Sequence, residues 1–257
     1  MVEQSILQNL NHNIRRGKKA LAVLLDPDKI PQGADFESLI FSCIEQQVDF
    51  IFAGGSLISS GQLEDLVDRV KAHTSIPVIL FPGSNLHICK KADAILFLSL
   101  ISGRNPDFLI GQHISAAPIL RKSELEILPT GYLIIESGTA TTVSYMSNTM
   151  PIPREKSDIA VCTAMAGEML GLKMLYLDAG SGAKYPVPGT MIEAVKKSIG
   201  IPLIVGGGIK DSVAAFKAYE AGADVLVIGN GIEKNPDTLK QVAEATRIFN
   251  EGLNIHQ

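Results

Sequence analysis

Asp26, Ser56, Asp178 and two runs of glycine are the residues of this sequence that could do chemistry together. Residues 20–25 form an apolar run that ends in Asp26-Pro27-Asp28-Lys29, and residues 50–53 form another that ends in Gly54-Gly55-Ser56. One carboxylate, one hydroxyl and the oxygens of a phosphorylated substrate make a usual shell for Mg²⁺. The same Asp26-Pro27-Asp28 would also serve as an Asx-type turn that only caps the following helix. Asp178 follows the apolar run 174–177 in a stretch of small residues, where it could take a proton from a substrate hydroxyl. A loop carboxylate bonded to backbone amides is the plainer alternative. Residues 203–205 end in Gly206-Gly207-Gly208, and residues 225–228 end in Gly229-Asn230-Gly231. Glycine permits positive φ and a close approach of backbone to ligand. With a helix N-terminus behind it, such a turn suits a phosphate. Two adjacent turns of this kind near the C-terminus match the phosphate site of the last two βα loops of a TIM barrel.

The elements that must position these residues follow from hydrophobic periodicity. Ile6, Leu7, Leu10 and Ile14 recur at helical spacing and predict an opening helix over 2–17. Short apolar runs at 20–25, 50–53, 78–81, 94–98, 132–135, 174–177, 203–205 and 225–228 read as buried parallel strands. Helical segments over 36–46, 61–73 and 157–171, and one starting at Asn105-Pro106, alternate with them. That pattern predicts one α/β domain over residues 1–257, a modified TIM (β/α)8 barrel. Only about a dozen residues separate the third and fourth strands, near the minimum for a helical crossover. The third barrel helix should therefore be shortened or replaced by an extended segment. Residues 137–156, rich in Ser, Thr and Pro, read as a long loop, which inside a compact domain is usually functional and often a lid. Active sites of such barrels lie at the C-terminal ends of the strands. Ser181, Tyr176 and Glu136 fall there beside the residues already named, and Glu136 is the second candidate for a base.

Composition narrows the partners. A net charge of −4 over 257 residues, with no basic run, argues against nucleic acid, so an anionic ligand must be held by local amides and a few cations. Trp is absent and aromatics are 5%, which disfavours a base-stacking surface. Cys43, Cys89 and Cys162 are far apart and form no metal-binding spacing. No stretch nears the roughly 18 unbroken apolar residues of a membrane span, and the N-terminus has no signal-peptide core. The expectation is a cytoplasmic protein. His73, His87 and His113 have no motif around them and read as structural or surface residues. No GxSxG, Walker A or HExxH pattern is present.

In order along the chain, Asp26-Pro27-Asp28-Lys29, Gly54-Gly55-Ser56, Pro129-Thr130-Gly131-Tyr132, Met146-Ser147-Asn148-Thr149, Tyr176-Leu177-Asp178-Ala179-Gly180-Ser181-Gly182-Ala183, Gly206-Gly207-Gly208-Ile209 and Gly229-Asn230 resemble the motifs of the geranylgeranylglyceryl phosphate synthases. The resemblance implies a Mg²⁺-dependent prenyltransferase that joins geranylgeranyl diphosphate to the sn-3 hydroxyl of sn-glycerol 1-phosphate. It would release diphosphate and form geranylgeranylglyceryl phosphate for ether-lipid synthesis. It further implies that Asp26 and Ser56 bind Mg²⁺. Tyr176, Leu177, Asp178, Ala179, Gly180, Ser181, Gly182, Gly206, Gly207, Gly208, Gly229 and Asn230 would hold glycerol 1-phosphate, with Asp178 and Tyr176 in catalytic roles. A homo-oligomer, dimer or hexamer, and transient membrane contact for product release belong to the same expectation. The family loop usually carries Glu where this chain has Asp178, one methylene shorter. A heptaprenylglyceryl phosphate synthase, another phosphate-binding barrel isomerase or cyclase, and a non-catalytic barrel that binds a phosphorylated ligand are the alternatives.

Overall fold

The computed structural model describes residues 5–59, 61–229, 231, 232, 235 and 237–254. Eight parallel strands close into a barrel in chain order: β1 Ala20–Leu25, β2 Phe50–Gly55, β3 Val78–Pro82, β4 Ala94–Ser99, β5 Glu126–Ile134, β6 Met174–Asp178, β7 Leu203–Gly206 and β8 Val225–Ile228. Helices α1 Ser5–Arg15, α2 Ala34–Glu45, α3 Leu63–His73, α4 Gln112–Leu120, α5 Thr142–Met146, α6 Ser157–Met169, α7 Gly189–Ser198, α8 Ser212–Glu220 and α9 Asp237–Asn254 accompany them. The expected (β/α)8 barrel is present. Alternate residues of each strand divide between two cores, as a barrel wall requires. Phe52, Phe81, Leu96, Leu128, Tyr132 and Tyr176 fill the barrel. Ile51, Leu80, Ile95, Leu133, Leu175 and Leu177 pack outward, in the core shared with the helices.

One device repeats at the base of the barrel. Asp49, Asp93 and Asp224 each stand immediately ahead of a strand (β2, β4 and β8). Each donates its N–H to a carbonyl of the preceding strand, that of Leu21, Val78 or Leu203, at 2.9 Å. Each then takes that same residue's N–H on its carboxylate, at 2.9, 2.8 and 2.9 Å. Two hydrogen bonds traded with one residue fix where the next strand begins. The corresponding position before β6 is Lys173, which donates to the Pro129 carbonyl at 2.8 Å. Proline has no N–H to return, so an aspartate there would have nothing to accept. Asp224 also pairs with Lys196 at 2.6 Å and with Lys19 at 3.5 Å.

The helix α1 plugs this lower end. The buried Glu126 carboxylate accepts the N–H groups of Ile6 and Leu7 at 2.8 and 2.9 Å, satisfying two orphan donors of the helix N-terminus. Ile6, Leu7 and Leu10 then join the interior core. With the base closed, the open end is the one at the strand C-termini.

Three departures from the sequence reading have physical causes. The strand β5 begins at Glu126, six residues before Tyr132, with Pro129 inside it. Its register with β6 starts only at Thr130↔Met174, so the missing proline N–H falls where β6 has not yet begun. Residues 137–156 are not a bare loop. Thr141 and Ser144 form a capping box that starts α5, and Ile152 pairs in parallel with Ile135. Asp178 is the last residue of β6 rather than part of a loop, in register with Ile134 and Gly206. The third helix is replaced, as expected: residues 83–93 connect β3 to β4 through turns alone. The fourth crossover carries a π-helical turn, Asp107–Gly111, ahead of α4.

Asp224→Ala strands two lysines and the Leu203 N–H in a buried setting. It should lower unfolding free energy by about 3 kcal/mol or more. Asp93→Ala, at a half-exposed copy of the same device, should cost about 1 kcal/mol. Urea unfolding of the two variants checks this, and equal losses would show that the buried pairs add nothing to the strand clasp.

Candidate active site

Asp178 is buried at the top of the barrel, with 7% of its surface exposed. Its Oδ1 accepts the Gly180 N–H at 2.7 Å, and its Oδ2 accepts the hydroxyl of Tyr132 in a short hydrogen bond. Burial pushes its pKa above the ordinary carboxylate value, while the bonds from Tyr132 and Gly180 pull it back. Burial, with the Asp178 charge second, holds the phenols of Tyr132 and Tyr176 well above their usual pKa, so both stay protonated. Tyr132, Tyr176 and Phe81 pack edge-on or tilted, with centroids 5.4 to 5.9 Å apart. Tyr132 was not among the expected site residues. The sign lay in parity: Tyr132 faces Tyr176 across β5 and β6, so both rings point inward on the face that Asp178 shares two residues later.

The strand ends bring the other expected residues around it unequally. Leu177 and Ala179 point outward into the helix-side core, so only their backbone could touch a ligand. The Ala179 N–H is already given to the Gly206 carbonyl at 3.0 Å, and the Gly180 N–H to Asp178. Ser181 and Gly182 are exposed on the loop beyond. Gly206 closes β7, and a Cβ there would run into the Tyr176 hydroxyl. Gly207 and Gly208 have φ of +80° and +75°, and a Cβ on Gly207 would sit 2.7 Å from the Gly180 nitrogen and 2.9 Å from Asp178 Oδ1. These glycines are therefore demanded by packing, Gly206 against Tyr176, Gly207 against the Asp178 turn and Gly208 against Pro186, whatever they bind. The N-terminus of α8 is capped by its own Asp211, which accepts the Ala214 N–H at 2.8 Å. An anion would thus be received by the glycine turn rather than by the helix end. Gly229 follows β8 beside Leu24, and Asn230 lies outside the described residues.

Across the barrel mouth, Asp26 follows β1 and is buried, ion-paired with Lys29. Its Oδ1 also accepts the Asp28 N–H at 3.1 Å, which is the Asx turn. It does not cap a helix: α2 starts at Ala34 behind Gly33. The end of β2 comes close enough that a Cβ on Gly55 would lie 3.7 Å from the Asp26 carboxylate. Ser56 follows at the rim of a cavity. Among the described residues no three His, Cys, Asp or Glu side chains cluster as a metal cage. One strand-end carboxylate with a neighbouring hydroxyl fits a Mg²⁺ that draws its remaining ligands from substrate and water.

That cavity exists because the third helix does not. It runs from Ser56 and Tyr132 along β3 and β4 to the face of α4, past Ile88, Phe97, Ala116 and Leu120, and its walls are mainly apolar. Val143, Met146 and Ser147, from the segment expected to be a lid, form its roof. The same segment covers the Asp178 turn, since Thr141 packs where a Gly180 Cβ would be. Tyr132 belongs to both places, its ring in the cavity wall and its hydroxyl on Asp178. His113 lines the cavity, edge-on to Phe97 at 4.5 Å, its pKa lowered first by burial. His87 accepts the Gly83 N–H at 3.2 Å, and His73 contacts the Arg69 carbonyl at 2.7 Å, both structural uses. Glu136 lies past the end of β5, where its carboxylate accepts the Gly138 N–H at 3.0 Å.

Residues 12–246 match the model of the PcrB family. The chain belongs to that family. Its relatives include the geranylgeranylglyceryl phosphate synthase of Spirosoma linguale, 56% identical over 92% of this chain and 95% of that protein. The enzyme of the same name from Pyrococcus furiosus is 44% identical over 95% and 96%. Among solved structures, (S)-3-O-geranylgeranylglyceryl phosphate synthase from Thermoplasma acidophilum, in complex with sn-glycerol-1-phosphate, superposes with a TM-score of 0.88 at 33% identity. The match covers 96% of this chain and 98% of that one. The family resemblance of the motifs is thereby borne out.

The two kinds of glycine at the barrel mouth should separate in stability. Gly207→Ala forces a side chain into a left-handed backbone and against Asp178, and should cost about 2 kcal/mol or more. Gly55→Ala meets only ordinary contacts and should stay within about 1 kcal/mol of the parent. Thermal unfolding measures both, and a tolerated Gly207→Ala would contradict the crowding described.

Proposed function

We propose that this chain is a geranylgeranylglyceryl phosphate synthase, transferring the geranylgeranyl group from its diphosphate to the sn-3 hydroxyl of sn-glycerol 1-phosphate. The observation that carries the reading is the junction at Tyr132, where a buried carboxylate and an apolar cavity share one side chain. A sugar-phosphate isomerase or cyclase would use the glycine turns but would have no need for that cavity. In this reading the single barrel domain supplies both half-sites, with the glycerol phosphate on the turns after β6, β7 and β8.

The residues would divide the work as follows. Gly206, Gly207 and Gly208, with Gly229, Asn230 and the turn of Ser181 and Gly182, anchor the phosphate. Anchoring both substrates turns a meeting of three partners into a local event. Tyr176 borders the glycerol, and Asp178 takes the proton of its sn-3 hydroxyl. A carboxylate whose pKa is raised by burial is a stronger base than one in water. Asp26 and Ser56 would hold Mg²⁺, which when bound offsets charge on the leaving diphosphate. Lys29, freed from Asp26 by that exchange, would stand beside the same oxygens. The cavity walls take the prenyl chain out of water, and the 137–156 segment excludes water from both substrates.

Exposed apolar side chains support the assembly and membrane parts of the reading. Ile110 and Ile114 with Ile159, Met169 and Leu170 suit contact with a second copy. Leu57, Leu86 and Met150 lie close in sequence to cavity residues and suit passing contact with a bilayer. No helix among the described residues is long and apolar enough to cross one, which accords with the cytoplasmic location we assign.

Incubation with labelled sn-glycerol 1-phosphate and prenyl diphosphates of several lengths, with and without Mg²⁺, tests the reaction. An ether-linked product made from geranylgeranyl diphosphate is expected; a product made only from longer chains would identify a heptaprenyl enzyme, and no product at all would reject the transferase reading. Asp26→Asn should raise the Mg²⁺ concentration for half-maximal rate by about tenfold or more, the loss of one charged ligand. An unchanged magnesium titration would remove Asp26 from the metal site. Asp178→Asn should lower kcat by about 10²–10⁴-fold, read at saturating substrates. A parental rate would transfer the base role elsewhere, with Glu136 next in line.

A further inference from the structure

We infer that Tyr132 is a positioning residue for the transfer reaction: its hydroxyl fixes the Asp178 carboxylate in the orientation from which it serves the glycerol hydroxyl. The inference rests on the base role proposed for Asp178 and adds a second residue to it.

The geometry comes from the strand register. Tyr132 lies opposite Tyr176, and Asp178 is two residues further along β6. At about 3.3 Å per residue that is about 6.6 Å, close to the reach of a tyrosine side chain leaning along its strand. The Tyr132 hydroxyl therefore arrives at Oδ2 without distortion of either backbone. The Gly180 N–H holds Oδ1 at 2.7 Å. One contact on each oxygen fixes the plane of the carboxylate, which neither contact could do alone. Each oxygen keeps a lone pair for a substrate hydroxyl. The ring that carries the donor is itself locked, edge-on to Phe81 at 5.9 Å and to Tyr176 at 5.4 Å. Aiming a carboxylate that is buried away from bulk solvent needs such preorganised donors.

The same bond sets when the base is usable. Tyr132 from β5 and Tyr176 from β6 are the titratable groups that face Asp178, and the third influence on it is the Gly180 amide. Tyr132 stays protonated across the working range, so it acts only as a donor. Its bond lowers the Asp178 pKa against the effect of burial. Loss of the hydroxyl must then raise that pKa. A base must be deprotonated to work, so the acid limb of the rate profile moves to higher pH.

Tyr132→Phe keeps the ring in the cavity wall and removes only the hydroxyl. We expect kcat to fall about tenfold or more, a lost charge-assisted bond, with the acid limb displaced upward and KM for prenyl diphosphate within about twofold of the parent. An acid limb that does not move overturns the inference even if kcat falls, because a packing defect alone would give that result. Adding Tyr132→Phe to Asp178→Asn separates the two ideas through a double-mutant cycle. If Asp178→Asn is slow and the second change adds no further loss, both hold. If the losses multiply, Tyr132 acts independently and the inference fails while the base role stands. If Asp178→Asn turns over at the parental rate, the base role fails and the inference with it.

Discussion

Where each strand begins decides what arrives at the top of the barrel. Asp49, Asp93 and Asp224 fix that start by trading two hydrogen bonds with the strand before. A slip of one residue would turn every side chain of a strand to the other face. With the register held, Tyr132, Tyr176 and Asp178 face inward together, and Gly206 sits beside Asp178 across β6 and β7. Before β6 the clasp is absent, because Pro129 has no N–H to offer. There β5 is longer, pairing first with β4 over residues 126–131 and then with β6 over 130–134. The base of the fold and the chemistry at its rim are thus linked by strand geometry alone.

The second constraint is a helix that is not there. In a regular (β/α)8 barrel each strand's outer face is covered by the helix that follows it. Turns at 83–93 stand where a helix would cover the outside of β3 and β4, and the space between these strands and α4 is the apolar cavity. The short distance between the third and fourth strands in sequence is the cause, because too few residues remain for a helical crossover. The segment 137–156 then roofs both the cavity and the Asp178 turn. Its capping box, the Ile135–Ile152 bridge and the burial of Ile152 in the helix-side core hold it.

Much of this was legible in the residues. Eight apolar runs, their glycine and acidic ends and the missing crossover gave the architecture, because buried parallel strands announce themselves as β-branched runs. The strand ends of Asp26, Ser56, Asp178 and Gly206–Gly208 were read from the same alternation. What was missed depends on contacts between distant strands. Pro129 hid the start of β5, since a proline argues against a strand until the neighbour's register is known. The tie of Tyr132 to Asp178 spans 46 residues, and no local pattern encodes it. The greasy lining of the cavity could not be traced because α4 and residues 83–93 contribute isolated side chains without a period of their own. Leu177 and Ala179 turn away from the site, as strict alternation from Tyr176 implies.

In the proposed reaction one tyrosine joins a glycerol phosphate site to a prenyl cavity, with Asp178 at the junction. A crystal structure with sn-glycerol 1-phosphate and an unreactive thiolo analogue of geranylgeranyl diphosphate tests it directly. The phosphate is expected on the turns after β7 and β8, the sn-3 hydroxyl within about 3 Å of the Asp178 carboxylate, and the prenyl chain between β4 and α4 beneath Val143 and Met146. A glycerol hydroxyl turned away from Asp178, or a prenyl chain lying outside that cavity, would contradict it.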